Sequence, residues 1–145
     1  MSYVLSLVLL SGLASANSNR GEPFDNYTQA YRSAQASGRP MLVILNPGGE
    51  SRTEQVSLVS VRKTKQRWEL LSDYIVVMID TGTKEGQVIR KLFDDPQLPF
   101  VSIIDKRQEY QIYQSSEKMY GQLWTEILET YRDGEPVVQA RLCMT

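Results

Sequence analysis

From Phe24 onward the apolar positions change period several times. Tyr27, Ala30, Tyr31 and Ala34 recur at helical spacing behind Asp25 and Asn26, either of which can cap a first turn. Gly38 closes that helix. Pro40 then introduces Met41–Leu45, an unbroken apolar run of the kind carried by strands buried on both faces. Asn46-Pro47-Gly48-Gly49 breaks the run. Ser51-Arg52-Thr53-Glu54 has the form of a capping box and predicts a helix with Leu58, Val61, Trp68 and Leu71 near one face. The stretch Val56–Val61 also alternates, so a strand is the competing reading there.

The second half repeats the alternation. Tyr74–Ile79 reads as a buried strand ended by Asp80, and Gly86–Phe93 as a short helix with Val88, Ile89, Leu92 and Phe93 apolar. Leu98–Asp105 reads as a third strand with Pro99 at its entrance, where a missing N–H is tolerated. Lys106-Arg107 turns the chain into Glu109–Tyr113, which alternates like the half-exposed partner of a hairpin. Glu117–Tyr131 predicts a closing helix with Tyr120, Leu123, Trp124, Ile127, Leu128 and Tyr131 on its apolar stripe, stopped by Gly134 and Pro136. No repeat or low-complexity tract is present.

The N-terminus has a different character. Val4–Leu13 is an apolar run of ten followed by Ala14-Ser15-Ala16, a small-x-small pattern that suits signal peptidase. Ten helical residues rise about 15 Å, half of a hydrocarbon core of about 30 Å, so no membrane span is expected. Residues 1–16 are expected to be a signal peptide cleaved near Ala16, although Met1-Ser2-Tyr3 carries no basic residue. The competing reading is a buried first strand or helix. Residues 17–23 then form a polar linker, 24–134 one domain and 135–145 a tail, and export to a periplasm or the exterior follows.

Composition narrows the chemistry. A chain of 145 residues, 41% apolar and 23% charged, holds one globular domain. Its formal net charge of −1 gives no bulk attraction to nucleic acid. There is no histidine, and the one cysteine is Cys143. A His/Cys zinc site, a Ser-His-Asp or Cys-His triad and an intramolecular disulfide are therefore excluded within this sequence. No cofactor is expected. Gly48-Gly49 lacks the lysine of a phosphate loop, and Asp94-Asp95 is a weak calcium argument. Arg62–Arg67, with four basic residues in six, reads as a solvated helix face rather than a nucleic-acid interface. Asn26-Tyr27-Thr28 is a glycosylation sequon.

The order helix, strand, helix, strand, helix, strand, strand, helix resembles the thioredoxin-like superfamily over roughly residues 24–133. The resemblance rests on the GRPMLVIL strand entrance after an alanine-spaced helix, the YIVVMID strand, LPFVSIID, and the closing hairpin and helix. It implies an α/β three-layer sandwich, a mixed central sheet flanked by helices. It also implies that Pro99 is cis and faces the active-site loop, with the Leu98 backbone placed to pair with extended substrates. The family's Cys-x-x-Cys should fall near Glu50-Ser51-Arg52-Thr53, give or take a residue, where there is no sulfur. Thiol–disulfide exchange needs an attacking thiolate and a resolving thiol, and a hydroxyl replaces neither.

Two functions fit this pattern. One is an exported, non-catalytic binding domain that holds a protein or peptide in a groove formed by Glu50, Ser51, Arg52, Thr53, Leu98 and Pro99. The other is an enzyme that keeps the fold and uses hydroxyl chemistry near Ser51 and Thr53, in the manner of thiol transferases. The second lacks an evident base beside either hydroxyl. Neither predicts an oligomeric state.

Overall fold

The computed structural model describes residues 22–49 and 55–137. The expected signal peptide, most of the linker, Glu50–Thr53, the Ser51–Glu54 capping box and Cys143 all lie outside the described residues. The order is α1 (Tyr27–Ser37), β1 (Met41–Asn46), α2 (Leu58–Val61), α3 (Lys65–Leu71), β2 (Ile75–Asp80), α4 (Lys84–Leu92), β3 (Phe100–Ile104), β4 (Gln111–Ser115) and α5 (Gly121–Thr130).

The four strands form one mixed sheet in the order β2-β1-β3-β4. β1 runs parallel to β2, with Met41 beside Ile75 and Asn46 beside Asp80, so the chain must cross over between them. β3 is antiparallel to β1, Met41 lying opposite Ile104. β4 completes the hairpin, with a register shift between Ile103 and Ile104. Phe24 adds a short parallel bridge outside β2, donating to the Val76 carbonyl and accepting from Met78 N–H.

β1 explains its own composition. Successive side chains leave opposite faces of a strand. Leu42 and Ile44 enter a core with Val61, Leu70, Leu71, Trp124 and Leu128, from α2, α3 and α5. Met41, Val43 and Leu45 enter a second core with Ala30 and Ala34 of α1 and Phe93 after α4. All five are fully buried, and helices cover both faces, giving the three layers expected.

Local signals set most boundaries. Asn26 Oδ1 accepts from Gln29 N–H at 3.0 Å, and Gly38 ends α1 in the left-handed region at φ 63°. Gly86 lets α4 settle on the end of β2, because a Cβ there would stand 1.9 Å from the Asp80 carbonyl oxygen. The β3–β4 turn is organised by Asp105, whose Oδ1 accepts from Glu109 and Tyr110 N–H at 2.7 and 2.9 Å.

The segment after β1 departs from expectation. Instead of one helix through Leu58 and Leu71 there are two, α2 capped by Ser57 and α3 capped by Thr64. Each cap satisfies N–H groups that a continuous helix would have bonded to carbonyls, so the axis restarts at Thr64. Trp68 consequently faces outward, half exposed, with the Arg62 guanidinium 4.5 Å from its ring. The strand reading of Val56–Val61 gives way to α2. The basic run is not a uniformly solvated face either, since Arg67 is buried. α4 begins two residues earlier than expected, and its Val88 and Leu92 are exposed. α5 begins four residues later than expected, leaving Tyr120 exposed at its start.

Candidate functional site

A groove of about 500 Å³ opens at the end of the sheet where β3 begins. Leu98 and Pro99 form one wall, Val56 faces them from the segment entering α2, and Met119 comes from the loop before α5. Val101 and the indole of Trp124 also line it, the latter 3% exposed and part of the α3/α5 core. The polar lining consists of Gln55, three serine hydroxyls, Glu117 and Lys118.

The walls are held by side chains acting on backbone. At the end of β1, the Asn46 amide donates to the Val56 carbonyl at 3.0 Å and accepts Val56 N–H at 2.8 Å. Gln55 Nε2 donates to the Pro47 carbonyl at 3.1 Å. These contacts close the neck of the loop between β1 and α2 and fix Val56 against the end of the sheet. The opposite wall is tied by Ser116, whose hydroxyl donates to the Gln97 carbonyl at 2.9 Å. Behind Met119, the Tyr113 hydroxyl lies 3.9 Å from its sulfur, and burial raises that phenol above its ordinary range.

The Leu98–Pro99 peptide bond is cis. Neither backbone group of Leu98 has a hydrogen-bond partner among the described residues. Leu98 and Pro99 both line the groove, whereas Glu50, Ser51, Arg52 and Thr53 lie outside the described residues. Val56, Met119 and Trp124 were not singled out as site residues by sequence. The Val56–Val61 alternation marks Val56 and the α5 stripe marks Trp124 only as apolar positions, Met119 belongs to neither pattern, and nothing local says that they meet.

The groove's three hydroxyls are engaged in backbone hydrogen bonds. Ser57 Oγ accepts from Ser60 N–H as the α2 cap, Ser60 Oγ donates to the Ser57 carbonyl at 2.7 Å, and Ser116 is committed to Gln97. Among the described residues none has a carboxylate or amine as hydrogen-bond partner. Among the described residues no group of three metal-ligating side chains occurs, and no helix is long and apolar enough to cross a membrane. A larger cleft of about 890 Å³ lies at the outer edge of β2, between the N-termini of α1 and α4. It contains none of the site residues expected from sequence.

The sheet order, the helices on both faces and the position of Pro99 define a thioredoxin-like fold. Solved structures agree. The chain is similar to a thioredoxin from Thermus thermophilus, with 18% identity, a TM-score of 0.61 and coverage of 76% of this chain and 86% of that one. It is also similar to a disulphide isomerase from Xylella fastidiosa Temecula1, with 17% identity, a TM-score of 0.55 and coverage of 71% and 86%. A third likeness is to the C-terminal domain of Neisseria meningitidis DsbD in its oxidised form, with 10% identity, a TM-score of 0.55 and coverage of 79% and 100%. No protein-family model matches the chain, and no curated protein matches it in sequence. At these identities the likeness is one of fold, and this chain carries that fold with a single cysteine at position 143.

Proposed function

We propose that this chain is an exported, non-catalytic thioredoxin-fold domain that binds an extended polypeptide in the groove beside Pro99. One observation carries the reading: the groove is walled by Leu98, Pro99, Val56 and Met119, next to backbone groups of Leu98 with no hydrogen-bond partner among the described residues. An extended chain can pair with such groups while placing an alternate side chain between the apolar walls. Glu50, Ser51, Arg52 and Thr53 complete the groove in this proposal. The fold without a second thiol supports a role in holding rather than in exchange. Residues 1–16 act as the export signal, 17–23 as linker, 24–134 as the domain and 135–145 as its tail.

The test is peptide selection by display on the purified protein, followed by titration of the selected peptide with backbone amides as reporters. Shifts should centre on Leu98, Val101 and Met119, and Val56→Asp should weaken binding at least about tenfold by placing a charge against apolar walls. Lys106→Ala, on the β3–β4 turn, should bind normally. Undiminished binding to a folded Val56→Asp protein would place the partner surface elsewhere. Insulin reduction by dithiothreitol should proceed at the buffer rate, unchanged by Cys143→Ser. Acceleration that disappeared in that variant would instead make Cys143 a site. Intact mass of protein from its native host should place the mature start at or near Asn17.

A further inference from the structure

β2 is an edge strand of the sheet, and half of its backbone faces away from β1. Ile75 N–H donates to the Pro40 carbonyl at 2.9 Å and Thr81 N–H to the Asn46 carbonyl at 3.1 Å, both on the β1 side. In that parallel register the odd-numbered residues bond inward, and Val76, Met78 and Asp80 turn their N–H and C=O outward. Phe24 takes two of these groups, the Val76 carbonyl and the Met78 N–H. The chain then leaves the edge at Asn26, the cap of α1. The next two groups, the Met78 carbonyl and the Asp80 N–H, have no backbone partner among the described residues.

Met78 and Asp80 line the cleft of about 890 Å³ between the N-termini of α1 and α4. Its walls offer Tyr27 from α1 and Ile89 and the exposed Val88 from α4. Its charge is lopsided. Asp25, Asp80 and Glu85 line it with Lys84, all four exposed, and none of them forms an ion pair among the described residues. Edge strands are commonly blunted by lysine, proline or a bulge. The Ile75–Asp80 run contains neither residue and pairs with β1 without a break. An extended chain laid on this edge gains two main-chain hydrogen bonds and sets one side chain beside Ile79. Phe24, the bridge partner of Val77, packs into the α1/α4 core, so that side chain falls on the same face, the one Ile89 packs against.

We propose that the outer edge of β2 is a docking site in its own right, pairing with an extended segment of another protein that carries an apolar residue between basic ones. The apolar residue sits beside Ile79, and lysine or arginine on either side answers Asp25, Asp80 and Glu85. The cleft shares no lining residue with the groove beside Pro99, and the proposal does not rest on that reading.

The probe is the end-blocked peptide Lys-Val-Lys-Val-Lys, titrated into the whole chain with backbone amides as reporters. Ile79, Asp80 and Val88 should shift saturably, and exchange of the Asp80 N–H should slow at saturation. The acidic counterpart Glu-Val-Glu-Val-Glu should bind at least about tenfold more weakly, and added salt should narrow that difference. Asp25→Asn/Glu85→Gln keeps shape and removes two charges, and should weaken the lysine peptide about threefold to tenfold, the scale of exposed ion pairs. A lysine peptide N-methylated at its three central residues loses the donor for the Met78 carbonyl and should leave these amides unmoved. No saturable shift, equal affinity for the lysine and glutamate peptides, or equal binding of the methylated form each overturns the proposal. So does an Asp80 N–H as protected as that of Val77 before peptide is added, which would mean that this edge is already covered by the chain itself or by a second copy. Val56→Asp alters the groove alone and should bind the lysine peptide like the parent. Weakened binding in that variant, with shifts centred on Leu98 and Met119, would put the peptide in the groove and overturn the β2 site.

Discussion

The two faces of the sheet are finished differently. On the α1/α4 face, Met41, Val43, Leu45, Ile75 and Val77 meet Ala30, Ala34 and a chain of rings. Tyr27 meets Phe93 edge-on at 6.2 Å, and Phe93 tilts onto Phe100 at 5.7 Å. The α3/α5 face keeps polar groups inside its apolar frame. The Tyr74 hydroxyl donates to the Leu128 carbonyl at 2.7 Å, Arg67 is buried against Ser60 and Thr64, and the core runs out through Trp124 into the groove. One face is closed by side-chain volume. The other sets hydrogen bonds inside its apolar frame and opens into the groove.

The largest expected effect tests the closed face. Leu45→Ala removes a fully buried side chain and should cost about 2–5 kcal/mol in urea unfolding, the range for leucine truncation in a packed core. Peptide affinity of the folded fraction should not change. A coupled loss of affinity would mean that the faces are not independent.

A smaller effect is expected from Asn46→Ala, which strips both hydrogen bonds from Val56 and should cost about 1–3 kcal/mol. Its signature is local. Amide exchange at Val56 should accelerate well beyond the global change, and peptide binding should weaken. Uniform acceleration across the sheet would show that the clamp serves the whole fold rather than the groove wall.

Tyr74→Phe removes one buried hydrogen bond and should cost about 1 kcal/mol at pH 8. Burial, with smaller help from Asp73, holds this phenol well above its ordinary range in the folded protein. The raised value makes its stabilising contribution complete below the unfolded phenol's pKa of about 10, and lost as pH rises toward the folded value. The gap between parent and Tyr74→Phe should therefore narrow between pH 9 and pH 11. A gap constant with pH would contradict the assignment. The smallest effect belongs to Val88→Ser on the exposed side of α4, which should stay within about 0.5 kcal/mol of the parent.

Much of the architecture could be read from local pattern because local physics sets it. The Met41–Leu45 run needs apolar neighbours on both faces whatever they are, and Asn26 and Gly38 mark the ends of α1 with their own conformational preferences. The groove was legible only in part. Leu98 and Pro99 stood out through the LPFVSIID resemblance, whereas Val56 and Met119 are ordinary apolar residues 63 positions apart that tertiary packing brings to one wall. The helix misjudged around Arg62–Thr64 failed for a related reason. The spacing of Leu58, Val61 and Leu71 suits one helix or two, and the caps at Ser57 and Thr64 settle which.

Chain chemistry alone set one thiol and no imidazole in this sequence, and no folding can supply side chains that the residues lack. Period and caps specified where helices and strands form, because those preferences act over a few neighbouring residues. Burial of Arg67 lies beyond that range. Within Arg62–Arg67 it is one of four basic residues, indistinguishable by spacing, and its depth depends on where α5 docks over α3. The packing of its guanidinium against Gly121 is a property of that docking, reached across more than fifty residues of chain.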